Sequence, residues 1–465
     1  MHSLKHLHFP HLHRKSRHDV DMTTGSIVPH LLKFAFPLLL GNVFQQLYNM
    51  VDTWVVGNYV SNEAFSAVGS VGPIINTLIG FFTGLSAGAG AVISQFYGAK
   101  REDKVKEAVH TSIMLTLLFG VVFTAIGIFF TPHMLRLMKT PDDVFDQSQL
   151  YLTIYFAGIL SLMVYNMGAG ILRAVGDSGR PFYFLVLTAI LNTVLDLVFV
   201  LVLGMGVEGV ALATVIAQSV SAILVIVTLI CSQNCVKLSL KYLKMRWEMT
   251  KKIFNVGLPA AFQMSITSFS NIFVQSYVNY FGSDFMAGWT AYNKIDQLAI
   301  LPVQAISMAS TTFVGQNLGC RRDARAKRGV FTACGLAVAT TAVFLVPIMI
   351  FAPQLVSFFN GKPEVVEYGS ILLRVISPFY LLFCINQVLA GALRGAGNSR
   401  AAMLILLPCF VVFRQVYLFV MANYICNEFL PIAMAYPFGW ALASILLFLY
   451  YQRVGLTGKY KIVEE

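Results

Sequence analysis

Apolar positions along the chain come in long blocks, not in the short alternations of a soluble fold. Twelve stretches, roughly 31–59, 66–96, 108–131, 149–172, 181–203, 209–231, 253–281, 287–315, 328–352, 369–393, 401–423 and 430–452, are each long enough to cross a hydrocarbon core as a helix, which takes about 20 residues. The pattern predicts an all-α integral membrane protein of twelve transmembrane helices. The first block is the least ordinary. Its centre, FAFPLLLGNVFQQLYNMVDTWVVG at 34–57, carries Pro37, Asn42, Gln45, Gln46, Asn49 and Asp52. Helical steps of three and four place Gly41, Gln45, Tyr48 and Asp52 on one face. Lipid does not accept such a face, so it is expected against protein or a water-filled cavity.

Composition narrows the class. Of 465 residues, 57% are hydrophobic and 12% charged, the latter about half the soluble average, which leaves no room for a large soluble domain. The net charge of +11 does not signal nucleic acid, because the basic residues sit in alternate short loops. Ser61–Ala64, Gly204–Glu208, Gly282–Asp284 and Asn423–Glu428 have none. The intervening loops hold Lys100, Arg101, Lys104 and Lys106, then Lys237 to Lys252, then Arg321, Arg322, Arg325, Lys327 and Arg328, and Arg173, Arg180, Arg394 and Arg400 follow the same rule. This is the positive-inside pattern, predicting a multi-pass protein of the cell (inner) membrane with both termini cytoplasmic. The seven cysteines have neither disulfide-framework nor zinc spacing. Six histidines in the leader also lack a ligand spacing, so no metal is expected there.

The two halves repeat. GILRAVGDS at 170–178 lies over GALRGAGNS at 391–399, and SAGAGAVISQFYGAKR at 86–101 over SMASTTFVGQNLGCRR at 307–322; each pair is 221 residues apart (170 to 391, 86 to 307). Pro37 lies over Pro259. Six spans per half make a parallel repeat about an axis along the membrane normal. The expected organisation is a tail at 1–21, a six-helix bundle at 22–231, a basic linker at 232–252, a second bundle at 253–452 and a tail at 453–465. Gly80, Gly84 and Gly88, four apart, form a face that admits close helix packing.

Deep ionisable residues are few: Asp52, Asp196, Lys294, Asp296 and Arg414. Asn192 and Asp196 share a face of the fifth span, and a carboxylate beside an amide suits a small hard cation or a proton. Lys294 and Asp296 are two apart and need partners elsewhere. No G-x-x-x-x-G-K-[ST] loop and no H-E-x-x-H is present, so neither direct ATP drive nor zinc proteolysis is expected. Convergent catalytic groups are lacking, so an enzyme is not expected.

With these residues in view, the chain resembles the multidrug and toxic compound extrusion (MATE) family. The resemblance runs from about Met22 and rests on the twelve spans in two halves, the FPLLLGNVFQQLYNMVDTWVVG opening, the SQFYGAK and VGQNLGC segments, and the LRAVGDS and LRGAGNS pair. It implies a V-shaped pair of six-helix bundles and antiport of amphipathic, often cationic compounds against H+ or Na+. Asp52, Asn192, Asp196 and Thr214 stand at the positions of an N-lobe cation site in one prokaryotic branch, with sodium the alternative to a proton at the same four residues. Pro37 matches a helix-bending proline and Gln45 a cavity position. Another branch uses a Glu on the seventh span; here that place falls near Thr267, and the span has no acid. The expected substrate cavity takes Gln45, Tyr48, Asn49, Asn166, Lys294, Asp296 and Arg414. No cofactor and no nucleic acid are expected, and the protein is expected to work as a monomer in the lipid bilayer on small organic molecules. The alternative is a lipid-linked precursor flippase of related architecture, kept open by Lys294 and Arg414.

Overall fold

The computed structural model describes residues 20–138 and 140–456. Among these residues seventeen α-helices follow one another: α1 (Ile27–Tyr59), α2 (Asn62–Gly98), α3 (Glu102–Leu137), α4 (Asp142–Ala157), α5 (Ile159–Ala174), α6 (Gly179–Leu197), α7 (Val207–Cys231), α8 (Trp247–Asn279), α9 (Ser283–Gly319), α10 (Asp323–Ile350), α11 (Ala352–Phe359), α12 (Pro363–Ile376), α13 (Tyr380–Gly395), α14 (Ser399–Leu407), α15 (Arg414–Val420), α16 (Phe429–Ala433) and α17 (Ala435–Val454). They form two six-span bundles, α1–α7 and α8–α17. Ten of the spans are apolar enough to cross a membrane, and α4 with α5, bent by 46° at Gly158, supply an eleventh.

The twelfth span is α8. At 33 residues it is about 50 Å long, yet it carries Gln263, Ser265, Thr267 and Ser270. It tolerates them because it packs between the bundles. A Cβ added to Gly88 would lie 2.2 Å from the Gly257 Cα, and one on Gly84 would lie 2.4 Å from the Ala261 backbone nitrogen. The glycine face of α2 thus brings two backbones together, and the Ser265 hydroxyl adds a 3.1 Å bond to the Thr77 carbonyl.

Both halves use the same internal bonds. Ser86 Oγ donates to the Asn166 carbonyl at 2.7 Å, and Ser307 Oγ to the Gln387 carbonyl at 2.7 Å. Gln95 Nε2 donates to the Gly395 carbonyl at 2.8 Å, and Gln316 Nε2 to the Ala174 carbonyl at 3.0 Å. The last two cross between bundles in both directions, as a two-fold repeat about an axis between α2 and α9 requires. All lie towards the end where the Lys- and Arg-rich loops sit, called here the basic end.

Some expectations need correction. The basic linker ends sooner than 252: α8 begins at Trp247, so Lys251 and Lys252 belong to a helix, with Lys252 paired to Glu248 at 3.5 Å. The short α11 lies between two apolar blocks and, apart from Ala352, belongs to neither. Arg394, grouped with the solvated loop cations, is only 5% exposed and its Nη1 has no partner; α13 runs on to Gly395 and carries it inward. Residues 1–19, which hold the six histidines, lie outside the described residues.

Candidate functional site

The polar face of α1 turns towards α6. Gly41 gives the room: a Cβ there would meet Leu185 at 3.2 Å. Further along, Phe44 meets Phe182 with ring centroids 6.3 Å apart. On the same face the Tyr48 hydroxyl and the Gln45 amide lie within hydrogen-bonding reach. One turn on, the Asp52 carboxyl comes within such reach of Asp196 on α6. Asn192, one turn before Asp196, is 2% exposed, and Asp196 is fully buried.

The polar atoms of the site are left unmet. Asp52 Oδ1, both Asp196 oxygens and both polar atoms of the Asn192 amide are buried without a hydrogen-bond partner. Two facing carboxylates only accept, so no hydrogen bond joins them until one holds a proton. A buried unpaired polar atom costs about 1–3 kcal/mol, and a charged one more. The donor set therefore fits a shared proton or a small oxygen-seeking cation. Directly after Asp196 the helix widens into a π-turn over Val198–Val202, a form that recurs at functional sites.

Three residues outside the expected set close the site. Tyr151 and Tyr155 of α4 stack at 6.5 Å and 17°. Tyr155 lies within hydrogen-bonding reach of Gln218 on α7, and Tyr151 is electrostatically coupled to Asp52 and Asp196. The sequence signal was present as two tyrosines four apart in the second half of α4, LYLTIYFA, which follows a polar first half. Thr214, 6% exposed on α7, gives its hydroxyl to the Val210 carbonyl at 3.1 Å. Among the described residues it bonds to neither carboxylate. Pro37 sits within α1, which runs unbroken through it.

The remaining expected residues scatter. Asn49 is exposed. Asn166 turns its amide onto the Leu162 carbonyl of its own helix at 2.9 Å. Lys294 is exposed, whereas Asp296 is half-buried and accepts from Tyr292 Oη at 3.2 Å, one turn back on α9. Tyr292 lies beside Trp289, Tyr380 and Tyr436 in the second bundle. Arg414, 4% exposed, donates from Nη2 to Ser270 Oγ at 2.8 Å and stacks over Tyr436 at 4.8 Å. Position 414 lies 222 residues after Asn192, the spacing of Pro37 and Pro259, so the second bundle has a guanidinium where the first has the amide. Among the described residues no three His, Cys, Asp or Glu side chains converge as metal ligands.

Comparison with known proteins follows this repeat. The sequence pattern of the MatE family matches residues 37–198 and again 259–420. The chain is 32% identical to "Probable multidrug resistance protein YoeA" of Bacillus subtilis over 90% of this chain and 92% of the relative. It is 29% identical to "Probable multidrug resistance protein YpnP" of the same organism, covering 93% and 96%. In fold it is similar to an outward-facing multidrug resistance MATE family transporter of the MOP superfamily, with a TM-score of 0.87 and 24% identity over 93% of this chain and 96% of the other.

Proposed function

The chain belongs to the MatE family, and from that premise we propose that it is a secondary active exporter of amphipathic, often cationic organic compounds, driven by inward movement of protons or sodium. It works without a cofactor, as a monomer, in the cell (inner) membrane. The basic loops and both termini face the cytoplasm, the side that positive loops prefer. The multidrug names of its relatives support the substrate class. The observation that carries the reading is the buried Asp52–Asp196 pair with Asn192, whose polar atoms lack partners.

The cycle follows from charge. With both carboxylates ionised, the pair repels across the gap between α1 and α6. A proton or cation entering from outside cancels that repulsion and draws the helices together. The α1 helix yields most readily at Pro37, which has no N–H to give the Lys33 carbonyl. Closing this gap expels substrate held beside Gln45 and Tyr48. One charge crossing 100 mV supplies roughly 2.3 kcal/mol, enough for about a 50-fold gradient.

The flippase alternative requires a cationic cavity open to lipid, and it is not favoured: the relatives are named for multidrug resistance and export, and the carboxylate pair of the first bundle has no role in holding a lipid-linked anion. Purified protein in proteoliposomes, given a fluorescent cationic dye and separately imposed pH and sodium gradients, tests the proposal. Dye should move against its gradient under one of the two. Equal movement with neither gradient imposed would refute ion coupling.

A further inference from the structure

We propose that residues Asp21–Gly25 form a cytoplasmic clasp: a strap from the first lobe, seated in a receptor built by Gln316, Asn317, Arg322 and Arg325 of the second, which holds the inner end of the pathway shut and must let go before the transporter opens inward. The inference rests on the export reading above, taken with two lobes that rock to open the pathway to either side in turn.

The receptor grips backbone, not side chains. Arg325 donates from Nη1 to the Gly25 carbonyl at 2.7 Å, from Nη2 to the carbonyls of Met22 and Thr24 at 3.2 and 3.1 Å, and from Nε to Met22 at 3.3 Å. Arg322 Nη1 takes the Thr23 carbonyl. Four consecutive carbonyls are thus held by two guanidinium groups through charge-assisted bonds, the stronger class. Asn317 Nδ2 adds a 3.1 Å bond to the Met22 carbonyl, and the Met22 N–H donates to Gln316 Oε1 at 3.1 Å. The Met22 side chain is fully buried among Leu31, Phe34, Val303 and Phe313.

The strap is shaped for this seat. Asp21 Oδ1 accepts from the Thr23 N–H at 3.0 Å and the Thr23 hydroxyl at 2.6 Å, curling the chain, and Gly25 supplies a φ of +77°. Gln316 joins three parties. It receives Met22, and its Nε2 reaches the Ala174 carbonyl of the first lobe at 3.0 Å. Beside it, the Val20 carbonyl is so close to Gly176 that a Cβ there would lie 2.2 Å away.

The repeat alone does not require the grip. In the first half the counterparts of Arg322 and Arg325, 221 residues earlier, are Arg101 and Lys104, and Lys104 turns instead to Glu107 at 3.0 Å. The entry to α8 is held more lightly, by Ser239 N–H on His110 Nε2 at 3.1 Å and Arg246 N–H on Thr111 Oγ1 at 3.4 Å. The asymmetry falls on the foot of α1, the helix that carries Pro37 and Asp52. Movement started at Asp52 therefore pulls on the clasp.

Hydrogen–deuterium exchange of the full chain in nanodiscs tests this without any transport reading, so it can fail while the export proposal stands, and the reverse. In the Arg322→Gln/Arg325→Gln double variant, exchange should rise on the order of tenfold in residues 20–27 and also in the basic-end halves of α2, α8 and α9. Arg325→Lys keeps the charge but loses the fork, and should fall between. Asp21→Ala, which leaves the receptor intact, should shift the same segments less and covers the case in which the double variant fails to fold. A rise confined to residues 20–27, with the lobe interface as protected as in the parent, would overturn the proposal.

Discussion

A carboxylate that faces another carboxylate inside a bundle has one remedy, a positive charge between them, and removing either acid removes the need for it. Asp52→Asn and Asp196→Asn should therefore each abolish dye accumulation driven by the coupling gradient, a loss of up to about 50-fold per charge at 100 mV. Dye-for-dye exchange across the same liposomes should persist. Concentrative export by both variants would remove these acids from the coupling step. Arg414 poses the complementary case, a buried cation whose bonds are to a hydroxyl and a ring, not to a carboxylate. Arg414→Met should lower transport of substrates bearing a carboxylate about tenfold and leave purely cationic dyes unchanged. A uniform loss across both classes would make it a packing residue. Asp52, Asn192 and Asp196 were legible in the sequence because polar atoms in an apolar span have few uses. Tyr151, Tyr155 and Gln218 were not, since a tyrosine or a lone amide in a span reads as packing until the fold brings α4 and α7 beside the acids. Arg394 misled for the opposite reason: a cation next to a loop reads as solvated, whereas its helix runs two residues past the apolar block, to Gly395.

Among the elements, α1 and α8 are under the most particular demands. Pro37 leaves α1 one hydrogen bond short at the Lys33 carbonyl, and Pro37→Ala would restore it, stiffening the helix by up to about 3 kcal/mol at that turn. Substrate binding should survive, measured by dye fluorescence in detergent, while turnover falls roughly tenfold; unchanged turnover would mean the helix does not bend there. The α2–α8 seam is less forgiving. A side chain at Gly88 meets the Gly257 backbone, which has no rotamer to move. Gly88→Val should cost more than about 3 kcal/mol and appear as loss of the monodisperse peak on size exclusion. Gly69→Ala, on the same face three turns beyond Gly80 and with nothing within 4 Å, should behave as the parent does. Twelve apolar blocks were readable as spans because lipid imposes their length. The 46° bend between α4 and α5 and the π-turns after Asp196 and before Arg414 were not, because they arise from packing between helices and leave no period in the chain. The polarity of α8 was legible, but its reason, burial between two bundles, belongs to the tertiary structure.

At the level of the whole molecule, contacts between the lobes are concentrated at one end. The Gln95, Gln316 and clasp bonds all lie at the basic end, and α2 stays against α8 from Gly88 as far as Gly80 and Thr77. Three turns beyond Gly80, on the same face, Gly69 has open space. The lobes therefore part towards the charge-poor end, which is the external side in the orientation proposed above. A cysteine placed at Gly69 reports both facts at once. In intact cells, with Cys426 near the same end first replaced by serine, Gly69→Cys should react with a membrane-impermeant maleimide added outside. A cysteine at Thr77, where the seam has closed, should react at least about tenfold more slowly. Labelling of Gly69→Cys only after the membrane is opened would reverse the assigned topology. Equal labelling at both positions would mean that the cleft runs deeper than the seam allows. The rate at Gly69 should also fall when the clasp is released by Arg322→Gln/Arg325→Gln, because lobes that rock about one axis cannot open at the inner end without closing at the outer one.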